Sequence, residues 1–146
     1  MTSVLVLNGP NLDRLGSREP DVYGGATLSD LRARLEGEAR AGVTIDLRQT
    51  NDEAELIGWL HEAVDGGHSV ILNPDAFTHY SYALSDAAKL VTSAGLTLVE
   101  VHISNPHARE EFRHTSVISA VATGVIAGFG FDSYSLALEL VQRRLG

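Results

Sequence analysis

Short apolar runs rich in valine, leucine and isoleucine alternate along this chain with stretches whose apolar residues recur every three or four positions. SVLVLN (3–8) is apolar without alternation, the pattern of a strand buried on both faces. TLSDLRARLEGEARAG follows with Leu28, Leu31, Leu35 and Ala39 at helical spacing, Thr27 placed to cap the helix and Gly42 to stop it. VTIDLRQ (43–49) is a second strand, and NDEAELIGWLHEAVDGG a helix capped by Asn51 or Asp52 and ended by Gly66-Gly67. SVILNP (69–74) makes a third strand, YSYALSDAAKLVTSAG a third helix and LTLVEVHIS (96–104) a fourth strand. AREEFRHTSVISA reads as a short broken helix, ATGVIAGFG as a fifth strand and SYSLALELVQRRL as a closing helix. Strict β-α alternation predicts an α/β protein: a five-stranded parallel sheet with helices on both faces, most simply wound in the flavodoxin-like order. No repeat, low-complexity tract or linker breaks the series, so residues 1–146 are expected to form a single domain.

Composition narrows the class without changing the fold. Hydrophobic residues make up 44% and charged residues 21% of the 146, as in an ordinary globular domain. No apolar run approaches the roughly 20 residues of a membrane span, and MTSVLVLNGPN has neither a basic leader nor a small-residue cleavage site, so no signal peptide is expected and the cytoplasm is the default location. The net charge of −8 argues against nucleic-acid binding through a general basic field. With no cysteine, disulfides and thiol catalysis are excluded. Lys89 is the only lysine among eleven basic side chains, and it sits at a solvated helix position in SDAAKLVTS, so Schiff-base chemistry has no good candidate.

Ligands of such sheets bind beyond the carboxyl ends of the strands, where the winding direction switches. The motifs there that would signal nucleotides are missing. GFGFDS (128–133) has Ser133 in place of the third glycine and too little chain after it for a βαβ unit, so it reads as a turn. NGPNLDRLG lacks the Gly-Lys-Ser/Thr of a P-loop, the hydroxyls a flavin phosphate would want and the carboxylates of a receiver domain. HEAVDGGH has neither the i,i+4 histidine spacing nor a third ligand for a metal. What accumulates instead is Asn11, Asn73, His79, Glu100, His102, Ser104, Arg109 and Arg113, all at or just past predicted strand ends. Singly, each has a structural explanation: the asparagines can satisfy loop backbone, His79 and Asp86 can be helix-face residues, and Arg109 and Arg113 can pair with Glu110 or Glu111. Convergence of the set on one edge of the sheet is harder to explain that way. Glu100 and His102 lie two apart on a strand, so both side chains project from one face. A carboxylate beside a histidine fixes its tautomer and favours its protonated form, which makes a general acid. An otherwise apolar central strand does not bury such a pair without a reason.

Four blocks, LVLNGPNLDRLGSREPDVYG, RQTNDEAELIGWLHEA, LNPDAFTHYSYALSDA and VEVHISNPHAREEFRHTSVIS, resemble those of the type II 3-dehydroquinate dehydratases, in the same order and essentially from end to end. The resemblance implies a lyase with a flavodoxin-like fold that dehydrates 3-dehydroquinate to 3-dehydroshikimate by anti elimination through an enolate. It serves aromatic amino acid biosynthesis through the shikimate route, or quinate breakdown. It also implies a dodecamer built of trimers, with no cofactor and no metal. It gives Tyr23 the role of the base that removes a proton next to the substrate ketone, and Arg18 that of the cation that favours its phenolate and holds the lid. Asn11 orients a water that stabilises the enolate oxygen, and His102, oriented by Glu100, protonates the departing hydroxyl. Asn73, His79, Arg113 and the backbone amides of Ile103 and Ser104 bind the substrate's carboxylate and hydroxyls, and Asp86 reaches a neighbouring subunit's site.

Elementary chemistry fits those roles. A free tyrosine titrates near 10, so about one in a thousand is phenolate at pH 7, and closing that gap takes about 4 kcal/mol. One close guanidinium in a water-poor site can supply much of it. The loop GSREPDVYGG holds little that packs, and Pro20 between glycine-marked ends suits a hinged lid, mobile without ligand and ordered with it. Five features depart from the family pattern: Asp75, Tyr80 and Ser85 in the third block, Asp52 with Ala54 in the second, and GFGFDSY near the end. Of these, Asp75 lies nearest the substrate-binding turn, where an extra carboxylate opposes an anion. The rival readings are a catalytically silent flavodoxin-like binding or assembly module, which has no need of the Arg18, Tyr23, Glu100 and His102 set, and a nucleotide-binding domain, which nucleotides rather than dehydroquinate would protect against heat.

Overall fold

Five strands, β1 (Thr2–Asn8), β2 (Val43–Gln49), β3 (Ser69–Asn73), β4 (Leu98–His102) and β5 (Gly124–Ala127), form one sheet in the computed structural model, which describes residues 2–17 and 19–145. Their order is β2-β1-β3-β4-β5 and every pairing is parallel, the flavodoxin-like winding expected from the alternation. The helices are α1 (Pro20–Tyr23), α2 (Leu28–Glu38), α3 (Glu53–Gly66), α4 (Tyr82–Ser93) and α5 (Asp132–Leu145). Alternate strand residues feed two cores. Val4, Val6, Ile71, Val99 and Val101 pack with Leu31 and Leu35 of α2 and with Tyr134, Ala137 and Leu138 of α5. Leu5, Leu7, Val70, Leu72 and Leu98 pack with Leu56 and Leu60 of α3 and Leu84, Ala88 and Val91 of α4. Both faces are covered, which is why the strands read as continuous apolar runs.

Local signals account for most boundaries. Thr27 and Asp30 form a reciprocal capping box at the start of α2. Asp52, the second of the two expected caps, accepts from the Ala54 amide, and Gly67 closes α3 in the left-handed conformation at φ 70°. Ser81 caps α4 through the Leu84 amide, so that helix begins later than expected, after a 3-10 turn over Asp75–His79. The expected broken helix at 108–120 resolves into two 3-10 turns, Pro106–Ala108 and Glu111–His114, followed by irregular chain. The loop expected at 16–25 contains a short helix, α1, with Pro20 in its first turn, where a proline's missing N–H costs nothing. At the end of β1 a side chain would not fit: a Cβ on Gly9 would lie 2.5 Å from the Pro74 carbonyl oxygen, which lets the loops after β1 and β3 meet closely.

Candidate functional site

The carboxyl ends of β3 and β4, with α1 folded against them, enclose a narrow cleft lined by Tyr23, Asn73, Asp75, His79, His102, Ile103, Ser104, Pro106, Arg109 and Arg113. Of the residues expected at the site, Tyr23, Asn73, His79, His102, Ile103, Ser104 and Arg113 are brought together there, with Glu100 directly behind His102. Asn11 is not in this lining; it is exposed on the turn after β1 in the left-handed conformation at φ 69°, its backbone N–H donating to Asn51 Oδ1 at 2.9 Å. Asp86 is exposed on α4 and does not line the cleft. Arg18 lies outside the described residues.

Tyr23 is 7% exposed, its ring joined to the core cluster that includes Leu12 and Leu15. Its hydroxyl oxygen accepts a hydrogen bond from Arg109 Nη1 at 2.7 Å, and the guanidinium carbon lies 5.4 Å from the centre of the ring. A guanidinium only donates, so this contact supports electron density on the phenol oxygen. Arg109 is fixed in turn by Ser104 Oγ at 3.3 Å and Glu19 Oε2 at 3.5 Å. The sequence singles out Arg109 without a role beyond a pairing with Glu110 or Glu111. In the structure Glu110 is shared by Arg113, at 3.2 Å, and Arg109, at 3.9 Å, while the Nη1 end of Arg109 reaches the tyrosine.

His102 shares the lining with Tyr23, and its Nε2 bonds Glu100 Oε2. Nε2 therefore carries a proton committed to the carboxylate, and Nδ1 is the nitrogen left for a ligand. Glu100 is fully buried. Burial pushes its carboxyl up, but the hydrogen bond and charge of His102, with the hydroxyls of Ser119 and Thr78, outweigh burial and hold it below the usual carboxylate range. His79 Nδ1 faces the Thr115 carbonyl oxygen at 2.7 Å and must donate to it, which leaves Nε2 as an acceptor.

Asn73 is positioned by residues that carry no signal in the sequence. It pairs in register with Asn8 across β1 and β3, and the Tyr134 hydroxyl, from α5, bridges them. Asn73 Nδ2 donates to Tyr134 Oη at 2.7 Å, which donates to Asn8 Oδ1 at 2.7 Å. Burial holds the Tyr134 hydroxyl far above its ordinary range, so it stays a neutral relay. The carbonyl of the Asn73 amide accepts from the Asp75 N–H at 3.1 Å, which leaves one Nδ2 hydrogen for a ligand. Asp75 holds a left-handed φ of 49°, a conformation aspartate tolerates better than most residues.

The arrangement suits removal of a proton on one side of a small anionic ligand and delivery of a proton on the other, with cations and amide hydrogens between. No group of histidine, aspartate and glutamate side chains among the described residues is arranged to hold a metal ion.

The chain matches the Dehydroquinase class II family model over residues 2–142. It is similar to the 3-dehydroquinate dehydratase of Salinispora tropica, with 56% identity over 142 residues, 97% of each chain. The 3-dehydroquinate dehydratase of Kineococcus radiotolerans is 55% identical over 143 residues, 97% of this chain and 96% of that one. Among solved structures, the type II dehydroquinase from Propionibacterium acnes superposes with a TM-score of 0.92 at 48% identity, covering 98% of this chain and 97% of the other.

Proposed function

The chain belongs to the class II dehydroquinase family, and from that premise we propose that residues 1–146 act as one 3-dehydroquinate dehydratase domain. The observation that carries the reading is the Tyr23–Arg109 contact at 2.7 Å in the same cleft as the His102–Glu100 pair. Tyr23, as phenolate, takes a proton from the carbon next to the ketone, and the C–H electron pair moves to the oxygen as an enolate. The enolate then expels the hydroxyl on the neighbouring carbon, and His102, as an imidazolium whose Nε2–H stays on Glu100, gives its Nδ1 proton to that oxygen, so water leaves and 3-dehydroshikimate forms. Each step is a proton transfer or a bond shift within the substrate, so the sequence of steps calls for neither a cofactor nor a metal. Arg113 and His79 bind the carboxylate and hydroxyls together with Asn73 and the amides of Ile103 and Ser104, and Asn11 orients a water at the enolate oxygen. Arg18 joins Arg109 in favouring the phenolate. The direct test is ultraviolet absorbance of the conjugated enone product after adding 3-dehydroquinate to metal-free protein. Folded protein that yields no absorbance would overturn the assignment.

The cleft between Tyr23 and His102 has about 20 Å³ of free volume, and cavities of about 430 Å³ adjoin it on the His79–Arg113 side and on the Ile103–Arg109 side. The segment bearing Tyr23 acts as a lid that lifts to admit a ring the size of quinate and returns, which excludes water around the reacting atoms. Amide exchange in residues 19–23 should slow when dehydroquinate is bound. Equal exchange with and without it would remove the lid, though not the chemistry.

Asp75 lines the cleft beside His79 and Arg113 and adds a negative charge where an anion must sit. Asp75→Asn keeps the shape and tolerates the left-handed backbone, so KM for dehydroquinate should fall roughly threefold to tenfold, the scale of one partly screened charge. A KM that stays or rises would show that Asp75 does not oppose the substrate.

The assembly proposed is a dodecamer of four trimers. The exposed Tyr80, Tyr82, Leu90 and Phe129 support an assembled state, because together they present large apolar area to solvent on one chain. In that assembly the exposed Asp86 reaches the cleft of a neighbouring subunit, and light scattering measures the state directly. No described helix is long and apolar enough to cross a membrane, and we place the enzyme in the cytoplasm, in aromatic amino acid biosynthesis or quinate breakdown.

A further inference from the structure

Glu100 is the most heavily hydrogen-bonded side chain around the cleft, and three of its four polar neighbours are hydroxyls outside the cleft lining. Thr78 Oγ1 donates to Oε2 at 2.7 Å, Ser119 Oγ to Oε1 at 2.6 Å and His102 Nε2 to Oε2, while Ser116 Oγ lies 3.0 Å from Oε2. Ser116 Oγ accepts the amides of Ile118 and Ser119, both at 3.1 Å, so its own hydrogen has to point away from that turn. Thr78 Oγ1 lies 2.6 Å from Ser116 Oγ and receives that hydrogen, so Ser116 acts on the carboxylate through Thr78.

Three hydrogens converge on the carboxylate, two at Oε2 and one at Oε1. A protonated Glu100 would bring a hydrogen of its own among them and weaken its acceptance of all three. The shell therefore selects the anion and one rotamer, although the group is fully buried in an apolar sheet. Two parts of the chain build it around β4, which carries Glu100 and His102. Thr78 stands in the turn after β3, and the irregular chain before β5 carries Ser116 and Ser119. That chain is held in place by the Val117 amide donating to the Thr78 carbonyl at 2.7 Å and by Ser85 Oγ donating to the Val117 carbonyl at 2.8 Å.

We infer that Ser119 and Thr78 are positioning residues for the second half of the dehydration, acting through Glu100 to keep the proton-donating nitrogen of His102 aimed at the leaving hydroxyl. The inference rests on the dehydratase reading for its kinetic arm, and on geometry alone for its spectroscopic arm. Loss of one donor lets the carboxylate rotate, and the imidazole that follows it no longer presents Nδ1 in one orientation. Substrate contacts are untouched, so the defect belongs in kcat and not in KM.

The test compares Ser119→Ala with Ser119→Thr, and Thr78→Val with Thr78→Ser, in the assembled enzyme. Each hydroxyl-deleting variant should lose roughly tenfold to hundredfold in kcat, the scale of one hydrogen bond to a charged group. KM should stay within about twofold, and the hydroxyl-retaining partner should recover most of kcat. In parallel, the ring nitrogen resonances of His102 should show one tautomer in the wild type and a mixture in Ser119→Ala. A kcat unchanged in both deletion variants would overturn the inference, as would a loss that the hydroxyl-retaining variants do not restore. If wild-type protein does not turn over dehydroquinate, the dehydratase reading fails by itself. The His102 resonances then decide the positioning role, and an unchanged single tautomer in Ser119→Ala would overturn it.

Discussion

Tyr23→Phe is expected to lose at least about a thousandfold in kcat while its melting temperature stays near that of the wild type. The ring of Tyr23 is part of a core cluster and lies under the Arg109 guanidinium, and phenylalanine keeps both contacts. Only the oxygen goes, and with it the acceptor for the Arg109 N–H at 2.7 Å. General base catalysis contributes about 10²- to 10⁴-fold. Of the other side chains lining the cleft, His102 is held by Glu100 and serves as the acid, and His79 is held by the Thr115 carbonyl. Arg109 has Ser104 and Glu19 as further partners, so it stays ordered when the oxygen is removed. Enone absorbance gives the rate and thermal denaturation the fold. Turnover within tenfold of wild type would remove Tyr23 as the base.

How far the chain could be read in advance depends on whether a feature is local. The strands were legible because residues such as Val4 to Leu7 are buried on both faces and so are apolar throughout. Thr27, Asp52 and Gly67 mark helix ends through contacts within three or four residues. The Glu100–His102 pair was legible because two residues on one strand share a face. Arg109 was not, since Glu110 and Glu111 beside it offered nearby carboxylates, and nothing local points past them to a tyrosine 86 positions away. The hydroxyls of Ser116 and Ser119 look like turn formers, and Ser116 does cap a turn as well as act on Glu100 through Thr78. Tyr134 reads as a core aromatic, and its hydroxyl finds Asn8 only because α5 returns across the sheet, 126 positions away in sequence. Roles that depend on long-range closure became visible only once the strands were set side by side.

Glu100→Gln should be the second most damaging change, and it separates charge from shape. The amide is nearly isosteric, yet it offers a single acceptor oxygen and two N–H donors to a shell made of donors from Thr78, Ser119 and His102. Whichever way it turns, at least one buried donor loses its acceptor, at a cost of about 1–3 kcal/mol in stability. The negative charge facing His102 disappears too, so the imidazolium that delivers the proton has no counter-ion and its orientation weakens. A fall in kcat of roughly 10²- to 10³-fold follows, with a smaller change in KM. The pH dependence of stability gives an independent check. Glu100 is held below its ordinary range when folded, so its contribution is fully present above the unfolded carboxyl value, near 4.3, and is lost as pH falls through the lower folded value. The stability gap between wild type and Glu100→Gln should be widest near neutrality and close on acidification below about pH 4. Denaturant melts of both proteins at several pH values measure it, and a gap that is constant or widens in acid would mean that the buried carboxylate is not the stabilised anion its surroundings require.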